Sequence, residues 1–209
     1  MKNSAGKPVL LKMVAAIQQN KDYLSEIDGL IADGDHGMNM NKGFSMFGDG
    51  IRDKEIRFSD GLYDLGFLLF NQIGGSMGPI YGTIFMNMGE TAEKEEEIDL
   101  KTFSAMLDAG LKSLMDIVDA RVGDKTLMDA LIPANDALQK AAGEGKDFSG
   151  ALGDMKAAAE AGRDSTKDLA AKYGRSSRLG ERSRGVLDAG AVSCCIILSA
   201  IAEGIIEQI

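Results

Sequence analysis

The sequence predicts an all-α fold: one domain of about eight antiparallel helices, a barrel or bundle over residues 1–209. Three observations lead there. Apolar residues recur at spacings of three and four in most segments, as in Val9, Leu10, Met13, Val14 and Ile17, which stacks them on one face of a helix. Strand-type alternation is scarce. The glycines gather between the periodic segments, at Gly29 to Gly37, Gly74 to Gly78, Gly123, Gly174 to Gly185 and Gly190. With 209 residues, 44% hydrophobic and only three prolines, the chain can bury one sizeable core and has the composition of an ordinary globular domain.

In chain order, helices are predicted over roughly 7–26, 38–50, 59–73, 79–93, 99–119, 127–142, 148–172 and 188–207. The first carries the Val9 to Ile17 stripe. The fourth opens on Pro79, whose missing N–H costs nothing in a first turn, directly behind the glycine turn 74–78. The fifth and eighth start on Asp99 and Asp188, residues of N-cap type. The sixth carries Leu127, Met128 and Leu131 behind Gly123, and residues 143–150 form an exposed turn before the seventh. The eighth contains the only cysteines, Cys194 and Cys195, adjacent and read as core residues; without a disulfide framework the chain suits a reducing compartment. In an up-and-down arrangement every second connection lies at the same end, so several glycine-rich loops are expected to meet at one mouth.

The net charge of −9 argues against nonspecific binding to nucleic acid, which needs a basic surface to displace counterions. The amino terminus has no apolar stretch behind its lysines, and no run is expected to approach the roughly 18 apolar residues of a membrane span. A cytoplasmic protein without a membrane partner is therefore expected.

The densest chemistry lies in residues 28–41, Asp-Gly-Leu-Ile-Ala-Asp-Gly-Asp-His-Gly-Met-Asn-Met-Asn. Asp28, Asp33 and Asp35 supply hard anionic oxygens of the kind Mg²⁺ takes, usually shared with substrate phosphates. A spacing of two would put Asp33 and Asp35 on one side of an extended segment, with Gly29, Gly34 and Gly37 allowing tight turns. The same residue types also build ordinary surface turns. An EF-hand does not fit, because position 12 counted from Asp33 is Phe44 rather than Glu. Zinc does not fit either, since His36 is the only histidine.

Four further segments could reach a phosphate. Gly74-Gly75-Ser76-Met77-Gly78-Pro79 leads into a helix N-terminus, which favours anions, although a tight helix connection explains it equally and the Walker A ending is missing. Gly123-Asp124-Lys125-Thr126 reads either as a binding turn or as a helix cap with a solvated charge pair. Gly174 to Gly185 holds four arginines, whose forks match phosphate oxygens but would also suit a solvated loop. Asp188-Ala189-Gly190-Ala191 opens the last helix.

These five segments, in this order and spacing, resemble the nucleotide-binding L-subunit family of dihydroxyacetone kinases from about residue 20 onward. Two patterns carry the likeness: Asp28-x4-Asp33-Gly34-Asp35-His36-Gly37-x-Asn39-Met40-Asn41-x-Gly43-Phe44 and Gly174-Arg175-x-Ser177-x-Leu179-Gly180-Glu181-Arg182-Ser183. The resemblance implies a barrel of eight antiparallel helices holding ADP or ATP through two magnesium ions, with Asp28, Asp33 and Asp35 as metal ligands. It implies that His36, Gly37, Met38 and Asn39 line the phosphates and that Ser76 and Met77 contact them from the glycine turn. Gly123, Leu127, Arg175, Asp188, Ala189 and Gly190 fall at further nucleotide positions. Arg175 is the candidate for stabilising phosphate charge, and His36 for orienting a phosphate or a metal-held water.

In the phosphotransferase-dependent members that the chain resembles, bound ADP serves as a coenzyme. A phosphohistidine on an M subunit phosphorylates it, and the ATP formed phosphorylates dihydroxyacetone held by a K subunit. A transcription regulator and a second copy of the chain are further candidate partners. Two other readings stand beside this one: the same chemistry on another short ketose such as erythrulose, and a nucleotide-binding regulatory or adaptor protein. The chain departs from the family pattern at Ala189, where a proline is usual, at Met77, where a small polar residue is usual, in Asp119 to Val122, and at Leu127, where a methionine is usual.

Overall fold

A computed structural model describes residues 1–209. Eight helices follow one another: α1 (Lys7–Gly29), α2 (His36–Ile51), α3 (Phe58–Gln72), α4 (Met77–Thr91), α5 (Leu100–Met115), α6 (Met128–Gly143), α7 (Phe148–Ser165) and α8 (Ala189–Ile206). Each packs on the next, and α8 returns to α1, closing a ring around a continuous apolar core that runs from Val9 to Ile205. There are no strands, only an isolated bridge between Lys2 and Glu97.

Local chemistry explains the element ends. Asp99, Asp147 and Asp188 stand just ahead of α5, α7 and α8 and accept the backbone N–H of Thr102, Gly150 and Ala191 at 2.7, 2.7 and 2.8 Å. α3 and α4 approach closely where Gly66 faces Gly82: a Cβ on Gly66 would lie 2.6 Å from the Met86 nitrogen and 2.8 Å from the Gly82 carbonyl. Pro133 lies inside α6 and leaves the Asp129 carbonyl without its helical donor. Gly162 of α7 fills that gap, with its Cβ position only 1.9 Å from the freed oxygen.

Several predicted boundaries shift. α4 begins at Met77, so Pro79 is its third residue, still within the first turn where no N–H is needed. α5 stops at Met115 rather than 119. α7 stops at Ser165 rather than 172, because the Thr166 hydroxyl turns back onto the Arg163 carbonyl at 2.6 Å and the chain passes through a short 3₁₀ turn, Thr166–Asp168, into extended backbone at Leu169. Asn3 is buried, and its side chain ties the amino terminus to Ser59 and to the Ala92 and Glu95 carbonyls, a hook with no periodicity to reveal it.

The expectation that no run matches a membrane span is also corrected. Ala189–Ile206 is 18 residues long with a mean hydropathy of 2.0. In the fold 72% of that window is buried, because α8 packs against α1, α6 and α7 and carries the densest part of the core.

In this ring the odd helices end, and the even helices begin, at the same end of the bundle. The connections 30–35, 73–76, 116–127 and 166–188 therefore gather there and line one cleft.

Candidate functional site

Four helix N-termini point at the cleft, those of α2, α4, α6 and α8. Each concentrates unpaired N–H groups and about half a positive charge, which favours anions. Three carboxylates sit among them. Asp28 lies in the last turn of α1, Asp33 in the connection, and Asp35 immediately before α2 without using its side chain as a cap. The segment is a turn rather than the extended run expected from spacing: Gly34 takes φ +76° and Asp35 already has near-helical backbone. One carboxylate oxygen from each of the three lies within 4.8 Å of the others.

That set fits a hard divalent cation. All donors are oxygen, and Asp28 Oδ2 is buried without a hydrogen-bond partner, an acceptor that only a cation or water from outside the chain could satisfy. Burial holds the Asp28 carboxyl above its usual range; the N–H groups of His36, Gly34 and Asp35 oppose this, and the Asp35 charge adds to it. Asp33 is ion-paired with Arg175.

The cleft has a volume of about 500 Å³, within the range of small-molecule and cofactor sites. Asp28, Asp33, Asp35, His36, Ser76, Met77, Leu127, Arg175, Asp188, Ala189 and Gly190 all line it. Ile80, Ile117, Val118, Met128 and Tyr173 give it an apolar wall as well. Gly37, Met38, Asn39 and Gly123 lie outside the lining. Gly37 is packed where α2 crosses α1, so that a Cβ would fall 1.9 Å from the Lys21 carbonyl, while Met38 is exposed. Gly123, at φ +96°, donates its N–H to Asp129 Oδ1 at 2.6 Å. Of the four arginines in the 174–185 loop, only Arg175 reaches the cleft; Arg184 is held by Glu181 and by the Asp168 carbonyl.

Lys125 is not part of a solvated charge pair. It is buried at φ +61°, and its ammonium donates to the Thr166 carbonyl at 2.5 Å and to the Val186 carbonyl. Burial lowers its pKa while Asp188 and Asp129 support its charge. One side chain thus pins the α7–α8 connection to the α5–α6 connection. Asp129 organises the same turn, accepting from Gly123 and from the Thr126 N–H at 2.8 Å, and the Thr166 hydroxyl accepts the Asp188 N–H at 3.0 Å. Burial pushes Asp188 up to about 7, opposed by the Ala191 N–H and by Lys125.

His36 is buried at the cleft edge, and desolvation lowers its pKa to about 4, so the ring is neutral at physiological pH. Its Nε2 lies 2.8 Å from Ser193 Oγ, which lies 2.6 Å from the Tyr81 hydroxyl. Lys125 as a buried tether, Asp129, Thr166, Tyr81 and Ser193 all escape a reading of the sequence. A polar residue inside an apolar helical run, as at Tyr81 and Ser193, is the one signal that could have found any of them.

The chain matches the DAK2 domain over residues 30–203. It is 35% identical over 188 residues to "PEP-dependent dihydroxyacetone kinase 1, ADP-binding subunit DhaL" of Listeria innocua, covering 90% of this chain and 89% of that one. The corresponding Escherichia coli ADP-binding subunit is 33% identical over 184 residues, covering 87% of each chain. The L-erythrulose kinase of Pectobacterium atrosepticum is 32% identical over 189 residues, 87% of this chain but only 31% of the longer relative. Among solved structures, the dihydroxyacetone kinase of C. freundii in complex with AMP-PNP and Mg²⁺ superimposes with a TM-score of 0.70 at 21% identity, over 97% of this chain and 34% of that one. A ring of eight antiparallel helices with a carboxylate-lined cleft, the match to the family over most of the chain, and this degree of identity place the protein in the DAK2-domain family.

Proposed function

We propose that this chain is the ADP-binding subunit of a phosphoenolpyruvate-dependent dihydroxyacetone kinase, that residues 1–209 act as one domain, and that its cleft holds ADP and ATP on two magnesium ions. The carrying observation is the convergence of three carboxylate oxygens within 4.8 Å and four helix N-termini on one cleft that also has an apolar wall. Anion-favouring helix ends and a cluster of carboxylates conflict unless the ligand brings both phosphate and cation.

In this reading Asp28, Asp33 and Asp35 hold the metal. His36, Ser76 and Met77 line the phosphate end, to which Gly37, Met38 and Asn39, outside the lining, belong only as the first turn of α2. Leu127, Asp188, Ala189 and Gly190 line the rest of the nucleotide site, with Gly123 behind them. Bound magnesium supplies charge neutralisation and alignment of the phosphates. Arg175, ion-paired with Asp33 here, would be free to turn its guanidinium to phosphate oxygens once Asp33 served a cation, a donor geometry that suits developing charge. The chain offers no thiol nucleophile at the cleft, since both cysteines are buried, and Nε2 of its only histidine is engaged by Ser193. That suits phosphoryl transfer, where positioning and charge do most of the work. Phosphate would arrive from an M subunit and leave to dihydroxyacetone on a K subunit, in the cytoplasm. The match spans 89% and 87% of the dihydroxyacetone kinase subunits but 31% of the longer erythrulose kinase, a domain arrangement that favours the dihydroxyacetone kinase reading.

The test is mass spectrometry of the nucleotide released on denaturing the protein purified in magnesium buffer, beside the Asp33→Ala variant. Stoichiometric ADP in the wild type, lost in a folded Asp33→Ala variant, is expected. Equal retention in both removes the metal assignment. No nucleotide in the wild type, with no binding of added ADP and magnesium, overturns the reading.

A further inference from the structure

Tyr81 of α4, Ser193 of α8 and His36 of α2 form a buried polar chain that ends at the cleft. Ser193 Oγ lies 2.6 Å from Tyr81 Oη, 2.8 Å from His36 Nε2 and 3.1 Å from the Gly190 carbonyl, and Tyr81 Oη lies 3.3 Å from that carbonyl. His36 Nδ1 has no protein partner and is left to the cleft.

The placement of protons follows from counting. A carbonyl only accepts, and each hydroxyl has one proton to give. Suppose the ring carries its proton on Nδ1. Nε2 must then accept from Ser193, the contact between the hydroxyls must use the Tyr81 proton, and nothing is left for Gly190: two bonds are made within the chain. Suppose instead that the proton is on Nε2, which donates to Ser193 Oγ. Either Ser193 donates to Gly190 while Tyr81 donates to Ser193, or Ser193 donates to Tyr81 while Tyr81 donates to Gly190. Both arrangements make three bonds, and two arrangements exist instead of one. Buried groups favour the state that leaves fewest protons and lone pairs unused.

We propose that Ser193, braced by Tyr81, is a positioning residue that fixes His36 as the Nε2–H tautomer, so that the imidazole meets the cleft through the Nδ1 lone pair as a hydrogen-bond acceptor. The group it takes is an O–H donor at the phosphate end, a magnesium-held water, and not a phosphate oxygen. This divides the labour at the site: Arg175 donates to phosphate, and His36 accepts from water. The ligand side rests on the nucleotide-magnesium reading above, whereas the tautomer does not.

His36 is the only histidine, so protein labelled with nitrogen-15 histidine gives one imidazole, and long-range proton–nitrogen correlation near neutral pH reports which nitrogen carries the proton. In nucleotide-free wild type, a protonated Nε2 and a bare Nδ1 are expected. A proton on Nδ1, or on both nitrogens, overturns the proposal. Ser193→Ala should relax the ring toward a mixture of tautomers and weaken binding of ADP with magnesium by about three- to tenfold, the value of one hydrogen bond; a spectrum identical to wild type overturns the positioning role. Tyr81→Phe should keep the Nε2–H form, because Gly190 still accepts from Ser193, and a shift to Nδ1–H there overturns the proton count. Should Ser193→Ala fail to fold, Ser193→Cys, whose thiol is a much weaker partner, reads the same relaxation, and a spectrum identical to wild type again overturns the positioning role. On adding ADP and magnesium, the Nδ1 resonance should move. Binding without any such movement sinks the acceptor role and leaves the nucleotide reading intact, whereas absence of binding sinks that reading and leaves the tautomer standing.

Discussion

Replacing Asp28 with Asn should make the metal-free protein more stable and the liganded protein less so. The Asp28, Asp33 and Asp35 oxygens lie within 4.8 Å of one another. At that separation two like charges repel by about 1 kcal/mol in a water-like dielectric and by about 3 kcal/mol at an effective value near 20. Arg175 offsets Asp33, which leaves the repulsion between Asp28 and Asp35, and burial of Asp28 adds to its cost. An asparagine has the same shape, keeps one acceptor for the neighbouring N–H groups, and removes the charge.

Without a cation, Asp28→Asn is therefore expected to gain about 1 kcal/mol, or about 2–4 °C in Tm for a chain of this size. With magnesium and ADP at one hundred times Kd, the wild type should gain about 2.7 kcal/mol, and the variant close to nothing. The two proteins exchange rank between EDTA and ligand, a crossing that general damage to the fold cannot produce. Thermal unfolding followed by circular dichroism in four combinations of protein and buffer reads it directly. A variant less stable than wild type in EDTA, or one that keeps the full ligand-induced shift, refutes the reasoning.

Lys125→Met should strip the Thr166 and Val186 carbonyls of their shared donor, costing about 2–4 kcal/mol in denaturant unfolding and speeding hydrogen exchange across residues 166–187. Gly37→Ala should cost about 1–3 kcal/mol or more, since the new methyl meets the Lys21 carbonyl and the Ser25 backbone, whereas Gly153→Ala, on an exposed turn of α7 with nothing within 4 Å, should gain about 0.5–1 kcal/mol. His36 has a folded pKa of about 4 against 6.5 when unfolded, so the unfolded chain takes up the proton first and stability is lost as pH falls from 6.5 toward 4. Between pH 7 and 4.5 this amounts to about 2 kcal/mol, and His36→Gln should remove that part of the slope when urea midpoints are compared at the two values.

The fold was largely legible because its signals are local. The spacing of apolar residues in α1, and the capping aspartates at 99 and 188, are read within a few residues of where they act. The ends of α5 and α7 were not, because what stops α7 is Thr166 folding back, and its carbonyl is held by Lys125, 41 residues away in sequence. The Gly-Asp-Lys-Thr turn has the composition of a solvated cap, and only the tertiary fold buries its lysine. Ser193 reads as a small core residue between Val192 and Cys194; its partners Tyr81 and His36 are 112 and 157 residues distant. Gly37 illustrates the opposite ambiguity. A motif glycine beside a histidine suggests close approach by a phosphate, yet the close approach it makes within the chain is to the backbone of α1.

Charge counting at the cleft joins topology to the proposed cofactor. An up-and-down ring of eight helices must place four N-termini at one end, whatever the side chains, but it places the C-termini of α1, α3, α5 and α7 there too, so the helix ends nearly cancel in net charge and favour an anion only where their N–H groups are aimed. Of the three clustered carboxylates only Asp33 has a side-chain cation, Arg175, so Asp28 and Asp35 stand uncompensated before any ligand arrives. A diphosphate then adds roughly three negative charges with nothing left to meet them, so anion binding alone is disfavoured at a site built from anion-favouring helix ends. Divalent cations would restore the balance, and with Asp33 serving a cation Arg175 would be free to serve the phosphates. On the proposed site, then, the carboxylates make nucleotide binding conditional on metal: the helix ends draw in phosphate only when it comes with its magnesium.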